Sequence, residues 1–441
     1  MGIKETLALK FGVPLILAKE RLRGGIAFNP LSPDWKFDPH PRFRELRAKS
    51  PVHHSDLLDG WVLTRYADVV SVLKDPRFSA DRARIENDRL ADQIDFENPT
   101  FQMLSRTMLL VDPPDHTRLR TLVSKAFTPR RIEEMRPRIQ AVVDSLLDDV
   151  AASGRMDVIR DLAVPLPVIV IAEMLGVDPA DRGKFKVWSD DLVSTLADFG
   201  SDPAAQERAN AAVLELADYF RAVIAARRLE PRDDLISAMI AAEEQGDVLS
   251  ENEMLGTCVL LLVAGNETTT NLIGNGLLSL LQHPAELERL KSQPGLIESA
   301  TEEMLRYEFP VQSTVRIPIE DVEVGGKKLR KGQIVMVAVG AANRDPEQFP
   351  EPDRFDIMRS PNRHVAFGQG IHFCIGAQLA RAEGQTAFST VLQRFPELRM
   401  IHPKPEWNGS MILRGLSSLE VELAPAATRD PERAPVAAAG G

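Results

Sequence analysis

The chain has 441 residues, of which 44% are apolar and 27% charged, and its formal net charge is −11. This acidic balance argues against general binding to nucleic acid or to anionic membranes, since both partners attract an excess of Lys and Arg. With only two cysteines, the chain is no disulfide scaffold, and we expect a reducing, cytoplasmic setting. A prior of about 150 residues per domain allows about three domains. No linker or internal repeat divides the chain, however, and we predict one large domain.

The N-terminal segment, residues 1–35, is predicted to be an extension that does not span a membrane. Its apolar patch, Phe11 to Ala18, is interrupted by Gly12 and Pro14. That patch is far shorter than the roughly 18 apolar residues that a membrane span needs. We expect the domain to occupy residues 36–423, and residues 424–441, which are rich in Ala and Pro, to form a disordered tail.

Helical periodicity dominates the chain. Apolar residues three and four positions apart predict helices over residues 132–152, 204–228, 251–282 and 295–307. Ser250 and Glu253 have the spacing of a capping box before the third helix, and Pro284 is expected to end it. At about 1.5 Å per residue, this helix would cross the whole domain.

Short strands are predicted near residues 61–64 and within residues 315–339. In the second region, the strand-like residues Val322 to Val324 precede a Gly325-Gly326 turn, and an apolar run follows at residues 333–339. The predicted fold class is therefore mainly α with small peripheral β-sheets.

The centre of the predicted 251–282 helix interrupts its apolar pattern. Two small residues, Ala264 and Gly265, precede the polar pair Glu267 and Thr268. Burying a carboxylate and a hydroxyl costs free energy unless they are paired, hydrated or functional. A Thr hydroxyl can also bond back to an upstream carbonyl and open the helix locally. From the residues alone, the pair either satisfies itself within a buried helix or takes part in chemistry.

A single thiol, Cys374, lies in a glycine-punctuated loop, residues 367–376, before a helix-like stretch at residues 377–392. Gly368 and Gly370 permit positive φ and bring N–H groups close to the sulfur, and the helix dipole also favours negative charge. We therefore expect a thiolate. The other cysteine is the distant Cys258, which excludes a four-cysteine zinc or iron–sulfur site. A lone metal-binding thiolate points to haem iron, and the alternative is an inert small hydrophobe.

The run F-G-Q-G-I-H-F-C-I-G-A-Q-L-A-R, Phe367 to Arg381, resembles the haem-binding signature of the cytochrome P-450 family. The resemblance extends from about Trp61 to Leu419. It implies the cytochrome P-450 fold and a haem b cofactor in which Cys374 is the axial ligand of iron. Phe367 and Gly368 would then belong to the cofactor-binding loop.

The same resemblance assigns roles on the long helix. Ala264 and Gly265 would lie over the distal face of the haem, where small residues let oxygen and substrate approach the backbone. Thr268 would be the hydroxyl that donates to dioxygen, and Glu267 would belong to a proton relay from solvent.

Further cofactor-binding and structural residues follow from family motifs in other segments. Buried haem propionates need cationic or hydrogen-bonding partners. The candidates that match the family pattern are His116, Arg120, Arg316 and His372. Glu303 and Arg306 resemble the E-x-x-R motif, and we expect Arg354 to complete a structural hydrogen-bonded cluster with them.

The substrate pocket is predicted by analogy and is mainly apolar. The residues expected to line it are Leu260, Val263, Val311, Ser313, Met411 and Ile412. Fatty acids, terpenoids, steroids and polyketides would all suit such a pocket.

The predicted function is a haem-dependent monooxygenase that inserts one oxygen atom from O2 into a hydrophobic small molecule. The resemblance implies a monomer that receives electrons from a ferredoxin or flavodoxin and its NAD(P)H-dependent reductase. Arg118, Lys125 and Arg381 could form a basic docking patch for that partner. Two alternatives are a peroxide-driven peroxygenase and a haem-based sensor or carrier without turnover. The acid and hydroxyl of the long helix argue against both.

Overall fold

The computed structural model describes residues 12–30, 32–86, 97–125, 127–197, 203–243, 249–410 and 412–423. Residues 424–441, for which we predict a disordered tail, lie outside these ranges, as does Met411 of the predicted pocket. The described helices, α1 to α16 in chain order, are Val13–Gly24, Pro33–Phe37, Pro39–Lys49, Tyr66–Lys74, Pro99–Ser105, Asp115–Ser124, Pro129–Ala151, Pro165–Met174, Arg182–Ala197, Pro203–Leu229, Leu235–Glu243, Glu251–Gln282, Pro284–Ser292, Ile297–Tyr307, Val339–Ala342 and Ala377–Arg394.

The strands are short and form several small sheets. In chain order, β1 to β12 are Val52–Ser55, Gly60–Leu63, Phe78–Ser79, Arg155–Asp157, Thr314–Pro318, Val322–Val324, Lys327–Leu329, Ile334–Val337, Arg399–Met400, Glu406–Trp407, Leu416–Ser418 and Glu420–Glu422. The largest sheet has the order β1-β2-β8-β5-β3. Helices therefore form most of the described structure, and the predicted fold class is confirmed.

The predicted helices are observed with small shifts at their ends. The long helix α12 begins with the predicted capping box, in which the Ser250 hydroxyl accepts from Glu253 N and the Glu253 carboxylate accepts from Ser250 N. It ends at Gln282, and Pro284 is the first residue of α13. The predicted 295–307 helix begins at Ile297 because a 3₁₀ turn, Pro294–Leu296, precedes it.

The predicted hairpin is also confirmed. Gly325 and Gly326 join β6 to β7 with φ of 54° and 74°. Both values lie in the left-handed region, which glycine adopts without steric cost and which a two-residue hairpin turn requires.

Helix α12 connects two large apolar clusters. Its N-terminal half, up to Val263, packs in a cluster with α10 and α11, and its C-terminal half, from Leu272, packs in a cluster with α7 and α16. The polar segment between these halves is therefore the part of the helix that neither cluster covers.

The described part of the predicted N-terminal extension packs on the rest of the molecule. Glu20 of α1 is buried, and its carboxylate accepts from the backbone N–H groups of Phe28 and Asp56 at 2.7 and 3.0 Å. The same carboxylate contacts His53 of β1 at 2.5 Å. These contacts join α1 to the first strand of the largest sheet.

Candidate functional site

The cysteine loop has the backbone geometry that its glycines predict. Gly368 and Gly370 have φ of 72° and 73°. A Cβ at Gly370 would lie 2.4 Å from Leu73 O, so no larger residue fits there. Cys374 N donates to Phe367 O at 2.9 Å, which closes the loop, and α16 begins three residues later at Ala377. The Cys374 side chain is exposed. The structure thus presents one thiol at the start of a helix.

The surroundings of the Cys374 thiol act on its pKa in opposite directions. Desolvation by the surrounding protein raises the pKa of the Cys374 thiol, although the N–H of Gly376 and the guanidinium groups of Arg120 and Arg381 lower it. Desolvation is the largest of these effects. It raises the pKa because burial disfavours the charged thiolate. A coordinated metal ion adds a positive charge that lowers the pKa of a thiol.

The uncovered segment of α12 carries the predicted polar pair. Ala264 is exposed, and Gly265, Glu267 and Thr268 are partly buried, whereas most of the helix around them is buried. The Thr268 hydroxyl donates to Ala264 O at 2.7 Å, and the Glu267 carboxylate accepts from Asn271 Nδ2 at 3.1 Å. Thr268 thus bonds back to the upstream carbonyl, as predicted, and α12 is continuous from Glu251 to Gln282 through this segment.

Packing within the protein does not explain Gly265. A Cβ there would have Ile171 Cγ1 as its nearest neighbour, at 4.0 Å. By contrast, a Cβ at Gly274 or Gly276 of the same helix would lie 2.5 Å from a neighbouring side chain. Glycine in a helix costs about 1 kcal/mol relative to alanine. The open space beside Gly265 is therefore consistent with a bound group over this segment.

Three predicted cofactor-binding residues meet at the cysteine loop. The rings of His116 and His372 lie 4.4 Å apart between centroids, and Arg120 Nη2 donates to Phe373 O at 2.6 Å. Burial, together with the nearby Arg316 guanidinium, lowers the pKa of His372 to about 3. The fourth candidate, Arg316, is itself buried in β5, and burial lowers its pKa to about 10.

Two buried polar atoms of this region lack hydrogen-bond partners within the described residues: His116 Nε2 and Arg82 Nη1. Unpaired buried polar groups are rare in native proteins and indicate a missing partner. A bound group with two carboxylates would balance the positive charge of the nearby arginines. Its oxygens would also accept hydrogen bonds from the two unpaired atoms. Haem fits this donor set. Arg82 was not predicted, because an arginine in a polar loop carries no motif.

The predicted pocket residues fall into two groups. Leu260 and Val263 are buried in the apolar cluster around the first half of α12. Val311 forms an isolated β-bridge with Leu413, and Gln312 N donates to Ile412 O at 2.8 Å. The structure thus brings residues 311–313, including the buried Ser313, beside residues 412–413. Their role in substrate binding stays a prediction.

The E-x-x-R cluster contains a different third arginine from the one predicted. Arg306 is fully buried, and its Nε and Nη2 each lie 2.7 Å from a carboxylate oxygen of Glu303. Arg359 completes the cluster, with its Nε 3.2 Å from Glu303 Oε1. The side chain of Arg354 is 55% exposed and pairs with Glu351, while its backbone carbonyl accepts from Arg306. The assignment of Arg354 was wrong because the loop turns that side chain outward.

The predicted basic patch is largely neutralised. Arg118 pairs with Asp115 and Glu253. Arg381 donates to the two oxygens of Glu302 at 2.6 and 2.8 Å. Of the three predicted cations, Lys125 is the exposed one for which no such pair is seen within the described residues. The three residues are therefore not a set of free charges.

The described residues contain neither a membrane-spanning helix nor a cluster of candidate metal ligands. No helix there has both the length and the apolar character needed to cross a bilayer. No group of three or more His, Cys, Asp and Glu side chains there could hold a metal ion. Cys374 therefore belongs to no such group among the described residues.

Comparisons with known proteins agree with this geometry. The family model described as Cytochrome P-450 matches residues 191–293 and 295–421. Cytochrome P-450 107B1 of Saccharopolyspora erythraea is 47% identical, over 87% of this chain and 95% of that protein. Cytochrome P-450 monooxygenase PikC of Streptomyces venezuelae is 42% identical, over 89% of this chain and 92% of that protein. The solved structure of myxobacterial CYP267B1 in complex with myristic acid is 44% identical, with a TM-score of 0.81 over 89% of this chain and 98% of that one.

Proposed function

Because the chain belongs to the cytochrome P-450 family, we propose that Cys374 is the iron ligand of its haem b and that Glu267 and Thr268 move protons during catalysis. The protein is a haem-dependent monooxygenase that inserts one atom of O2 into a small organic molecule, with electrons from separate redox proteins. The observation that carries the residue assignment is the lone exposed thiol at the start of α16.

Haem, when bound, supplies an O2-activating iron, and a thiolate ligand favours cleavage of the O–O bond. We assign its propionates to His116, Arg120, Arg316 and His372. Among the described residues, His116 Nε2 is buried without a partner, and the hydrogen bonds seen for the buried Arg316 side chain go to Thr314 and Val315 of its own strand. Both residues therefore gain a partner when a carboxylate is bound.

The proton path is assigned to the polar segment of α12. The hydroxyl of Thr268 is held by Ala264 O at 2.7 Å, which fixes Oγ1 on the uncovered face of the helix. Glu267 is partly buried and held by Asn271 one turn further on, so its carboxylate can exchange protons with solvent and pass them towards Thr268. Ala264 and Gly265 keep bulky side chains away from this face.

We propose a hydrophobic substrate, since the segments assigned to the pocket are mainly apolar. The myristic acid in the related CYP267B1 structure shows that a fatty acid suits one member of this family, and we include fatty acids among the candidates. We also propose that the protein works as a monomer in the cytoplasm, and the presence of two free cysteines supports a reducing compartment.

Substitution of each cysteine in turn tests the central assignment. A thiolate ligand of the haem iron would place the Soret band of the reduced, carbon monoxide-treated protein at about 450 nm. We expect Cys374→Ser to lose this band. Cys258→Ser is the matched control, because Cys258 is buried in the apolar cluster of α12, where burial raises the pKa of its thiol. An unchanged band in Cys374→Ser would remove that residue from the site.

A further inference from the structure

Arg82 lies on a turn that the largest sheet holds beside Arg316. Strand β3 pairs with β5 so that Ser79 faces Ile317, and the chain continues from there into a 3₁₀ turn, Arg82–Arg84. Asp81 Oδ1 accepts from Ala83 N at 2.9 Å and caps the turn. The backbone of this segment is therefore anchored at both the sheet and the cap.

The two arginines of this turn have opposite environments. Arg84 has a side chain that is 50% exposed, and its Nε lies 3.5 Å from Asp81 and 3.3 Å from Asp112. Arg82 is partly buried, and its Nη1 has neither solvent contact nor a hydrogen-bond partner. Within the described residues, no ion pair or hydrogen bond joins the Arg82 side chain to a carboxylate. An arginine in such a position requires an anion that the described protein does not provide.

The charges around Arg82 add to this requirement. The nearest charges that act on Arg82 are Asp81 and the buried Arg316, and burial together with Arg316 lowers the pKa of Arg82 to about 10. Asp112 is the carboxylate that acts on Arg316, but its oxygens already accept from Ser79 Oγ at 2.5 Å and Ala80 N at 3.1 Å. Arg84 contacts it as well, so Asp112 has little capacity left for a second arginine.

We propose that Arg82 binds a carboxylate group within this site, supplied either by a haem propionate or by an acidic substrate. A planar guanidinium can hold both oxygens of a carboxylate at once. The proposal rests on the haem site proposed above. It adds a fifth residue, from a segment without a recognisable motif, to the four already assigned to carboxylate binding.

Haem retention tests the first source. Holoprotein would be prepared with haem and with its dimethyl ester, in which both carboxylates are blocked, and haem transfer to excess apomyoglobin would be timed. If Arg82 holds a propionate, Arg82→Gln should lose haem about tenfold faster than the unchanged protein, a typical effect of one charge-assisted hydrogen bond. With the dimethyl ester the two proteins should lose the cofactor at equal rates. Arg84→Gln, on the same turn, should have no effect in either case.

Ligand binding tests the second source. Myristic acid and methyl myristate would be titrated against each variant, with the Soret spin shift as the readout. If Arg82 holds a substrate acid, Arg82→Gln should weaken binding of the acid about tenfold, leave the ester unchanged and leave haem retention unchanged. Arg82→Lys keeps the positive charge but lacks the bidentate guanidinium, and it should weaken binding by an intermediate factor. This variant also tests the proposal if Arg82→Gln does not fold.

The outcomes separate this proposal from the proposed haem site. If the unchanged protein lacks the CO band at about 450 nm, the haem-thiolate assignment is wrong. If that band is present, and Arg82→Gln alters neither the rate of haem loss nor the preference for acid over ester, the carboxylate role of Arg82 is overturned and the haem site stands.

Discussion

Replacing Arg359 by alanine should destabilise the protein, whereas replacing Arg354 should not. Arg359 is 9% exposed, and its guanidinium makes four hydrogen bonds: to Glu303 Oε1 at 3.2 Å and to the carbonyls of Pro350, Glu351 and Arg354 at 2.8, 3.2 and 3.0 Å. These bonds connect α14 to the loop before the cysteine segment. Their loss removes this donor from the carbonyls of Pro350 and Glu351, whereas Arg306 still bonds Glu303 and the Arg354 carbonyl.

The magnitude follows from the exposure of each side chain. A hydrogen bond that involves a charged group contributes about 1.5 to 3 kcal/mol net. Arg306 remains paired with Glu303 in the Arg359→Ala variant, so the carboxylate keeps a counter-ion. Water can reach the freed carbonyls because Pro350, Glu351 and Arg354 are exposed, so we expect the equivalent of about two such bonds, a loss of about 3 to 4 kcal/mol. Arg354 and its partner Glu351 are 55% and 74% exposed, and such a pair contributes about 0 to 0.5 kcal/mol.

Thermal unfolding of the holoprotein, followed by far-ultraviolet circular dichroism, measures the difference. With 441 residues and an unfolding entropy of about 2.1 cal/mol/K per residue, a loss of 3 to 4 kcal/mol lowers Tm by about 3 to 4 °C. Arg354→Ala should change Tm by less than about 1 °C. Equal decreases in the two variants would refute the placement of Arg359, and not Arg354, in the cluster.

Two further predictions concern α12 and α14. Thr268→Ala should bind haem and substrate but form about tenfold less product per NAD(P)H and release more hydrogen peroxide, because positioned proton transfer is worth at least that factor. Thr257→Ala, which removes the same kind of bond to the carbonyl four residues earlier, should couple normally, and normal coupling in Thr268→Ala would refute the proton role. Burial raises the pKa of Glu302, but Arg381 and His364 outweigh it and hold that pKa at about 2. This folded-state pKa lies below the value of about 4.5 for a glutamate in the unfolded chain. The stabilisation that ionised Glu302 contributes is therefore complete above about pH 5 and is lost between about pH 5 and 2. Glu302→Gln should therefore lower Tm at pH 7 and not at about pH 2, and an equal decrease at both pH values would contradict the prediction.

Local patterns predicted the helices well. The capping box at Ser250 and Glu253 and the proline at 284 are signals within one turn of the helix ends, and α12 begins and ends where they indicate. The sheet formed by β4, β12 and β9 was not predicted. Its strands are two or three residues long and come from distant segments, too short for an alternating pattern to be recognised.

The candidate site likewise has parts that the sequence predicted and parts that it did not. The cysteine loop and the A-G-N-E-T segment, residues 264–268, could be recognised because their chemistry depends on residues adjacent in sequence. Arg359 and Arg82 could not be recognised in this way. The position of each depends on the path of a loop and on the charged residues that lie near that loop in the folded chain. The desolvation that raises the pKa of Cys374 could not be recognised either, because the loop shows its donors but not the segments that surround it.

The sequence by itself thus determined the fold class, the family and the single thiol, all of which follow from spacing along the chain. The tertiary structure decided which arginine faces Glu303, that Arg381 pairs with Glu302, and that Arg82 lies partly buried near Arg316 without a carboxylate partner in the described structure. The physical reason is that a backbone motif is set by neighbours a few residues apart, whereas burial and ion pairing depend on which distant segments the packed chain brings together.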